Sequence, residues 1–224
     1  MLSKEAVFQG LGTFVSMPDD FDPQKKYPAI LFLHGAGTRQ CPPGALAGNA
    51  FFKIGAQQEG FPFVCFAPIC TGECWFDHGN QLVAMVKELT ALPYVDETRF
   101  YMVGNSMGGY GAWQLGMCLP EYFAAIVPIC GGGMYWDAGR LVNVPVWAFH
   151  GGKDPVVFPS ESENMVAKVN KRGGNAKLTI YPENAHDSWT DTYSNPEVFQ
   201  WLLSHRNENA TALVNEYNNQ EIFG

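Results

Sequence analysis

Residues 100–111 read F-Y-M-V-G-N-S-M-G-G-Y-G. Four apolar residues run straight into a glycine-rich turn that carries one serine, and the turn opens a stretch with helical spacing. G-N-S-M-G (104–108) matches G-x-S-x-G, a pattern that by itself admits two readings. A tight turn with a bystander serine would need glycines at 104, 108 and 109 for steric reasons alone. A strained strand-to-helix turn would need the same glycines and would lift Ser106 above the end of a sheet. The rest of the chain has to decide between them.

Working outward, apolar or β-branched runs recur at 29–34, 63–67, 100–103, 125–129, 144–150 and 177–181, and most are continuously apolar. Strands buried on both faces read this way. Helical spacing falls between them at 82–89, 107–118, 161–171 and 196–205. The alternation predicts an α/β fold with a mostly parallel central sheet and helices on both faces. An earlier pair, 6–8 and 12–16, predicts an antiparallel edge. The pattern gives one domain over 1–205 and a polar C-terminal appendage over 206–224, with a short helix around Ala210–Tyr217. Only about a dozen residues (131–143) separate two of the later strands, too few for a large lid domain.

A serine hydroxyl needs a base to become a nucleophile. Five histidines are available. His186, in Y-P-E-N-A-H-D-S-W after the last strand-like run, is the best placed. His34 opens H-G-A-G (34–37) and reads as an organiser of that loop. His150 reads as structural, and His78 and His205 as capping or solvated groups. The base in turn needs an acceptor that sets its tautomer. Asp154, in H-G-G-K-D-P (150–155), follows a strand at the same sheet edge. It is preferred over Asp187, whose side chain should diverge from that of its neighbour His186. The order Ser106, Asp154, His186 is the one this strand–turn–helix architecture uses. H-G-A-G is small enough for its amides to approach a substrate oxygen, and the N–H of Met107 at the start of a helix supplies a second donor. Four elements in the required order favour the nucleophile over the bystander.

Composition excludes several other classes. The 224 residues carry 14 Lys and Arg against 22 Asp and Glu, a net charge of −8, and no basic cluster longer than a pair. A nucleic-acid surface needs grouped positive charge, so none is expected, nor is a membrane partner. The first residues, M-L-S-K-E-A-V, place a charge pair where a secretion signal would be apolar. The six cysteines form no C-x-x-C pair and read as reduced structural thiols. A cytoplasmic location is therefore expected, in which the N-A-T sequon at Asn209 has no role. No metal or organic cofactor is implied.

With these residues in hand, the chain resembles the α/β-hydrolase superfamily from about residue 27 to 205. It is most similar to the compact carboxylesterase and feruloyl-esterase-like group, often labelled phospholipase/carboxylesterase or predicted peptidase. The landmarks are F-L-H-G-A-G-T-R (32–39), A-P-I-C-T-G-E-C-W-F (67–76), D-E-T-R-F-Y-M-V-G-N-S-M-G-G-Y-G (96–111), F-A-A-I-V-P-I-C-G-G (123–132), F-H-G-G-K-D-P-V-V (149–157) and H-D-S-W (186–189). The resemblance implies Ser106 as nucleophile, Asp154 as acid, His186 as base, and oxyanion donors at Ala36 and Met107. It implies a small-molecule ester substrate. Trp75, Trp136 and Trp189 lie in loops expected at the catalytic edge and suggest an aromatic-lined pocket for short or aromatic acyl groups. A peptidase or amidase of the same fold, and a binding protein that has lost catalysis, are the alternatives. Activity is expected to rise through the histidine titration, at about pH 6–7 for a base of this kind.

Overall fold

The computed structural model describes residues 1–223, and side chains as far as residue 219. Eight strands form one sheet: β1 (Leu2–Phe8), β2 (Leu11–Met17), β3 (Tyr27–Leu33), β4 (Val64–Pro68), β5 (Val95–Asn105), β6 (Ala125–Ile129), β7 (Val146–Gly151) and β8 (Ala176–Tyr181). Their spatial order is β1-β2-β4-β3-β5-β6-β7-β8. Both pairings of β2, with β1 and with β4, are antiparallel; from β4 to β8 every pairing is parallel. The expected antiparallel edge is therefore present, and the parallel part begins at β4.

Side chains alternate across the sheet as strand geometry requires. Ala29, Leu31 and Leu33 of β3, with Phe100 and Met102 of β5, face one layer; Ile30, Phe32, Tyr101 and Val103 face the other. The first layer is closed by α2 (Gly79–Thr90), α3 (Met107–Cys118) and α4 (Ser160–Lys171), through Leu82, Met85, Trp113 and Met165. The second is closed by α1 (Ala50–Lys53), α5 (Trp189–Ser194) and α6 (Pro196–Leu203), and Phe32 stacks on Phe51 at a centroid distance of 4.4 Å. Burying an aromatic or aliphatic side chain of this kind stabilises by about 1.5–3 kcal/mol. Double-sided burial is thus the reason these strands read as unbroken apolar runs.

The C-terminal segment forms α7 (Ala210–Phe223), longer than the spacing predicted. Ala210 and Val214 are buried, and Thr211 Oγ1 donates to Glu97 Oε1 at 3.1 Å. Lys26 holds the same carboxylate through Oε2 at 2.6 Å. The segment is docked on the domain through these contacts despite its polar composition. Among the described residues no helix is long and apolar enough to cross a membrane.

Candidate active site

The parallel strands all end at one edge, and the loops leaving that edge carry every residue of the site. β5 stops at Asn105 and α3 starts at Met107, so Ser106 alone makes the turn. Its backbone has φ 56° and ψ −120°, a left-handed conformation that is costly for a residue with a Cβ. The surroundings enforce it: Ser106 N–H donates to Ile129 O at 2.9 Å, and Tyr110 N–H donates to Ser106 O at 3.1 Å. The flanking glycines are required by proximity. A Cβ on Gly104 would lie 2.2 Å from Gly108 O, and one on Gly108 would lie 1.8 Å from Leu33 O. Helix α3 can reach this close to β3 only because nothing projects between them.

Ser106 Oγ lies 2.8 Å from His186 Nε2, and His186 Nδ1 lies 2.7 Å from Asp154 Oδ2. A carboxylate only accepts, so Nδ1–H donates to Asp154 and Nε2 is left to accept from the serine hydroxyl. The other oxygen, Asp154 Oδ1, accepts the N–H groups of Val156 at 2.8 Å and Val157 at 3.0 Å. Burial alone would push the Asp154 carboxyl up. The hydrogen bonds from His186, Val157 and Val156 outweigh it and hold the group below its ordinary value. Asp187 bonds elsewhere, accepting from Thr190 N–H at 3.0 Å and Thr190 Oγ1 at 2.9 Å.

The H-G-A-G loop is held by His34, which is completely buried. Its Nδ1–H donates to Gly35 O at 2.8 Å and its Nε2 accepts Cys70 N–H at 3.1 Å. Burial pushes this imidazole down to about 4, only partly opposed by the Gly35 bond, so it is neutral at physiological pH. The loop places Ala36 on the wall of an open cavity of about 420 Å³ that also holds Asn105, Ser106, Val156, His186 and Trp189. Met107 is the first residue of α3, so its N–H has no carbonyl one turn back to bond. Beside it a second cavity, of about 280 Å³, is lined by Cys74, Trp75, Phe76, Met107 and Tyr110.

Of the three tryptophans expected at the site, Trp189 reaches it, with its ring edge-on to His186 at 5.3 Å. Trp75 is 1% exposed and its Nε1–H donates to His34 O at 2.9 Å, so it forms a buried wall of the second cavity. Trp136 is 63% exposed, packs against Tyr135, and is not among the residues around either cavity. Sequence reasoning missed Val156 and Asn105. Val156 is 67% exposed two positions after Asp154, and the only sequence signal was its place in the loop that carries that acid. Asn105 accepts from Tyr193 Oη at 3.1 Å, a long-range contact with no local signature.

All six cysteines are free. Cys130, Asp154 and His186 place ligand-type atoms within 4.8 Å of one another. Burial pushes the Cys130 thiol up to about 12.

Residues 77–220, well over half of the chain, match the dienelactone hydrolase family. The chain belongs to the dienelactone hydrolase family. It is an esterase-like α/β-hydrolase in fold. A thermostable esterase superposes with a TM-score of 0.77 at 32% identity, covering 91% of this chain and 63% of the esterase. Est1E from Butyrivibrio proteoclasticus superposes with a TM-score of 0.67 at 15% identity, covering 90% and 98%, a likeness of fold. Dipeptidyl-peptidase 5 of Porphyromonas gingivalis is 24% identical over 223 residues. That match covers 78% of this chain and 32% of the peptidase, so this dienelactone hydrolase family member spans about a third of that relative's length.

Proposed function

We propose that the protein is a serine carboxylesterase that hydrolyses short-chain or aromatic acyl esters through Ser106, His186 and Asp154. The observation that carries this reading is the continuous hydrogen-bond chain from Ser106 Oγ through both ring nitrogens of His186 to Asp154. Ser106 Oγ attacks the ester carbonyl while its proton passes to His186 Nε2, and Asp154 stabilises the imidazolium that forms. The carbonyl oxygen, now anionic, takes the N–H groups of Ala36 and Met107. Removing one such donor typically costs about 3–4 kcal/mol of transition-state stabilisation. His186 returns the proton to the leaving alcohol, and water then repeats the sequence on the acyl-enzyme.

The two cavities suggest how a substrate is divided. The one that contains His186 receives the leaving alcohol, because that histidine must reach its oxygen. The neighbouring one, walled by Trp75, Phe76, Met107 and Tyr110, receives the acyl group, and its aromatic walls suit a short or flat acyl chain. The protein acts without a metal or organic cofactor in this reading and works in the cytoplasm.

The test is labelling by a fluorophosphonate together with turnover of p-nitrophenyl acetate, methyl ferulate and a peptide anilide, each in wild type and Ser106→Ala. Adduct formation and ester hydrolysis that both vanish in the variant are expected. No Ser106-dependent adduct would overturn the serine hydrolase, and faster cleavage of the anilide than of the esters would make it an amidase.

A further inference from the structure

His150 is buried completely at the end of β7, and the hydrolytic scheme does not use it. Its two ring nitrogens both have partners. Nε2 lies 2.9 Å from Val157 O, and Nδ1 lies 2.7 Å from Ser162 Oγ. A carbonyl can only accept, so Nε2 carries a hydrogen. Ser162 has one hydroxyl hydrogen and lies 2.9 Å from Gly131 O. Gly131 is buried, and among the described residues no backbone N–H outside the regular elements donates to that carbonyl. A buried carbonyl without a donor is costly, which directs the Ser162 hydrogen to Gly131. The hydroxyl oxygen must then accept from Nδ1. Both nitrogens are donors, and an imidazole with two N–H groups is a cation.

A cation without water needs an anion, and one is in place. Asp154 Oδ2 lies 3.4 Å from His150 Nε2, and neither side chain has any exposed surface. The same oxygen accepts from His186. We propose that His150 is a buried imidazolium that shares Asp154 with His186, and that it acts as a positioning residue limiting how readily His186 takes a proton. Other ionisable groups lie around the Asp154–His150 pair. The Cys130 thiol, after β6, and the Tyr110 phenol, on α3, are both pushed up and neutral at physiological pH. Glu161 stands at the start of α4, against Gly132. Asp154 is the carboxylate in contact with His150.

The arrangement has a functional consequence that rests on the esterase reading. One carboxylate already paired to a cation supports a second imidazolium less well, because like charges disfavour each other. Asp154 therefore stabilises an imidazolium at His186 less than it would without the second cation beside it. The network also ties the Asp154 loop, through Val157, to α4 and to Gly131. A Cβ on Gly131 would lie 2.5 Å from Gly109 C in the first turn of α3, so the same hydrogen bonds brace the turn that carries Ser106.

Two measurements test this. Nitrogen-15 NMR of the histidine side chains in the wild type, assigned with His150→Gln, reads the protonation of His150 without reference to catalysis. Both ring nitrogens protonated through neutral pH is the expected result, and one unprotonated nitrogen would overturn the proposal even in a protein with no esterase activity. The second is the acid limb of kcat/KM in His150→Gln, with glutamine chosen to keep a donor and an acceptor. It should move up by about half a unit to one unit, a loss of about 3- to 10-fold in relative activity on that limb. A limb that stays in place while NMR shows His150 charged would overturn the coupling to His186. If His150→Gln does not fold, Ser162→Ala, which removes the acceptor of Nδ1–H, should move the limb the same way, and no movement would count against the coupling.

Discussion

The H-G-A-G loop depends on a buried histidine that is neutral at physiological pH, and this makes the fold sensitive to acid in a calculable way. His34 has a folded value near 4 against an ordinary value of 6.5. The unfolded chain therefore binds a proton between these values that the folded protein does not. Stability is fully present above about pH 6.5 and is lost as pH falls toward 4. Integrating between about pH 7 and pH 4.5 gives a loss of about 2 kcal/mol from this single group. His34→Gln separates that loss from all other titrations, because an amide keeps a donor for Gly35 O and an acceptor for Cys70 N–H without titrating. Urea unfolding followed by tryptophan fluorescence at the two pH values is the assay. With a slope of about 2 kcal/mol per molar, the wild-type midpoint should fall by about 1 M more than that of the variant. The variant is expected to be weaker at neutral pH, so the comparison is between pH dependences and not between absolute midpoints. Equal pH dependences in the two proteins would refute the reasoning. His34 would then be protonated in the folded state without penalty, and its hydrogen bonds to Gly35 and Cys70 would not be what holds the loop.

Four other outcomes follow from the same geometry. Asp154→Asn should cut ester turnover by about 10³- to 10⁴-fold, since an amide can present an N–H to His186 and favour the wrong tautomer; steady-state kinetics on p-nitrophenyl acetate reads this. Gly108→Ala would drive a Cβ to 1.8 Å from Leu33 O and should cost more than about 3 kcal/mol or abolish folding. Gly37→Ala, which meets nothing within 4 Å, should change thermal stability by less than about 0.5 kcal/mol. Tyr193→Phe removes the donor to Asn105 Oδ1 and leaves a buried oxygen unpaired, so it should cost about 1–2 kcal/mol in chemical denaturation.

These predictions divide in the same way as what could and could not be read from residues alone. The strands were legible because β3 and β5 send alternate residues into two closed layers, which forces every position to be apolar. Ser106, Asp154 and His186 were legible for a related reason. Each follows the end of a parallel strand, β5, β7 or β8, and parallel strands deliver their ends to one edge. The glycines around Ser106 add a second local record, since a missing Cβ marks where backbone approaches backbone. The aromatic walls left no such record. Trp75 and Trp136 both sit in loops at the correct edge, yet one is sealed by a bond to His34 O and the other faces solvent, and the difference is made by segments far away in the chain. His150 is the sharpest case. It stands four residues before Asp154 in a motif that names the acid, and reads there as a structural residue. The proposed charge rests on Val157, Ser162 and Gly131, which lie apart from that motif or beyond it and would leave neither ring nitrogen free of hydrogen. Local sequence records where a reacting atom must be placed. The proton count around it is a property of the assembled interior.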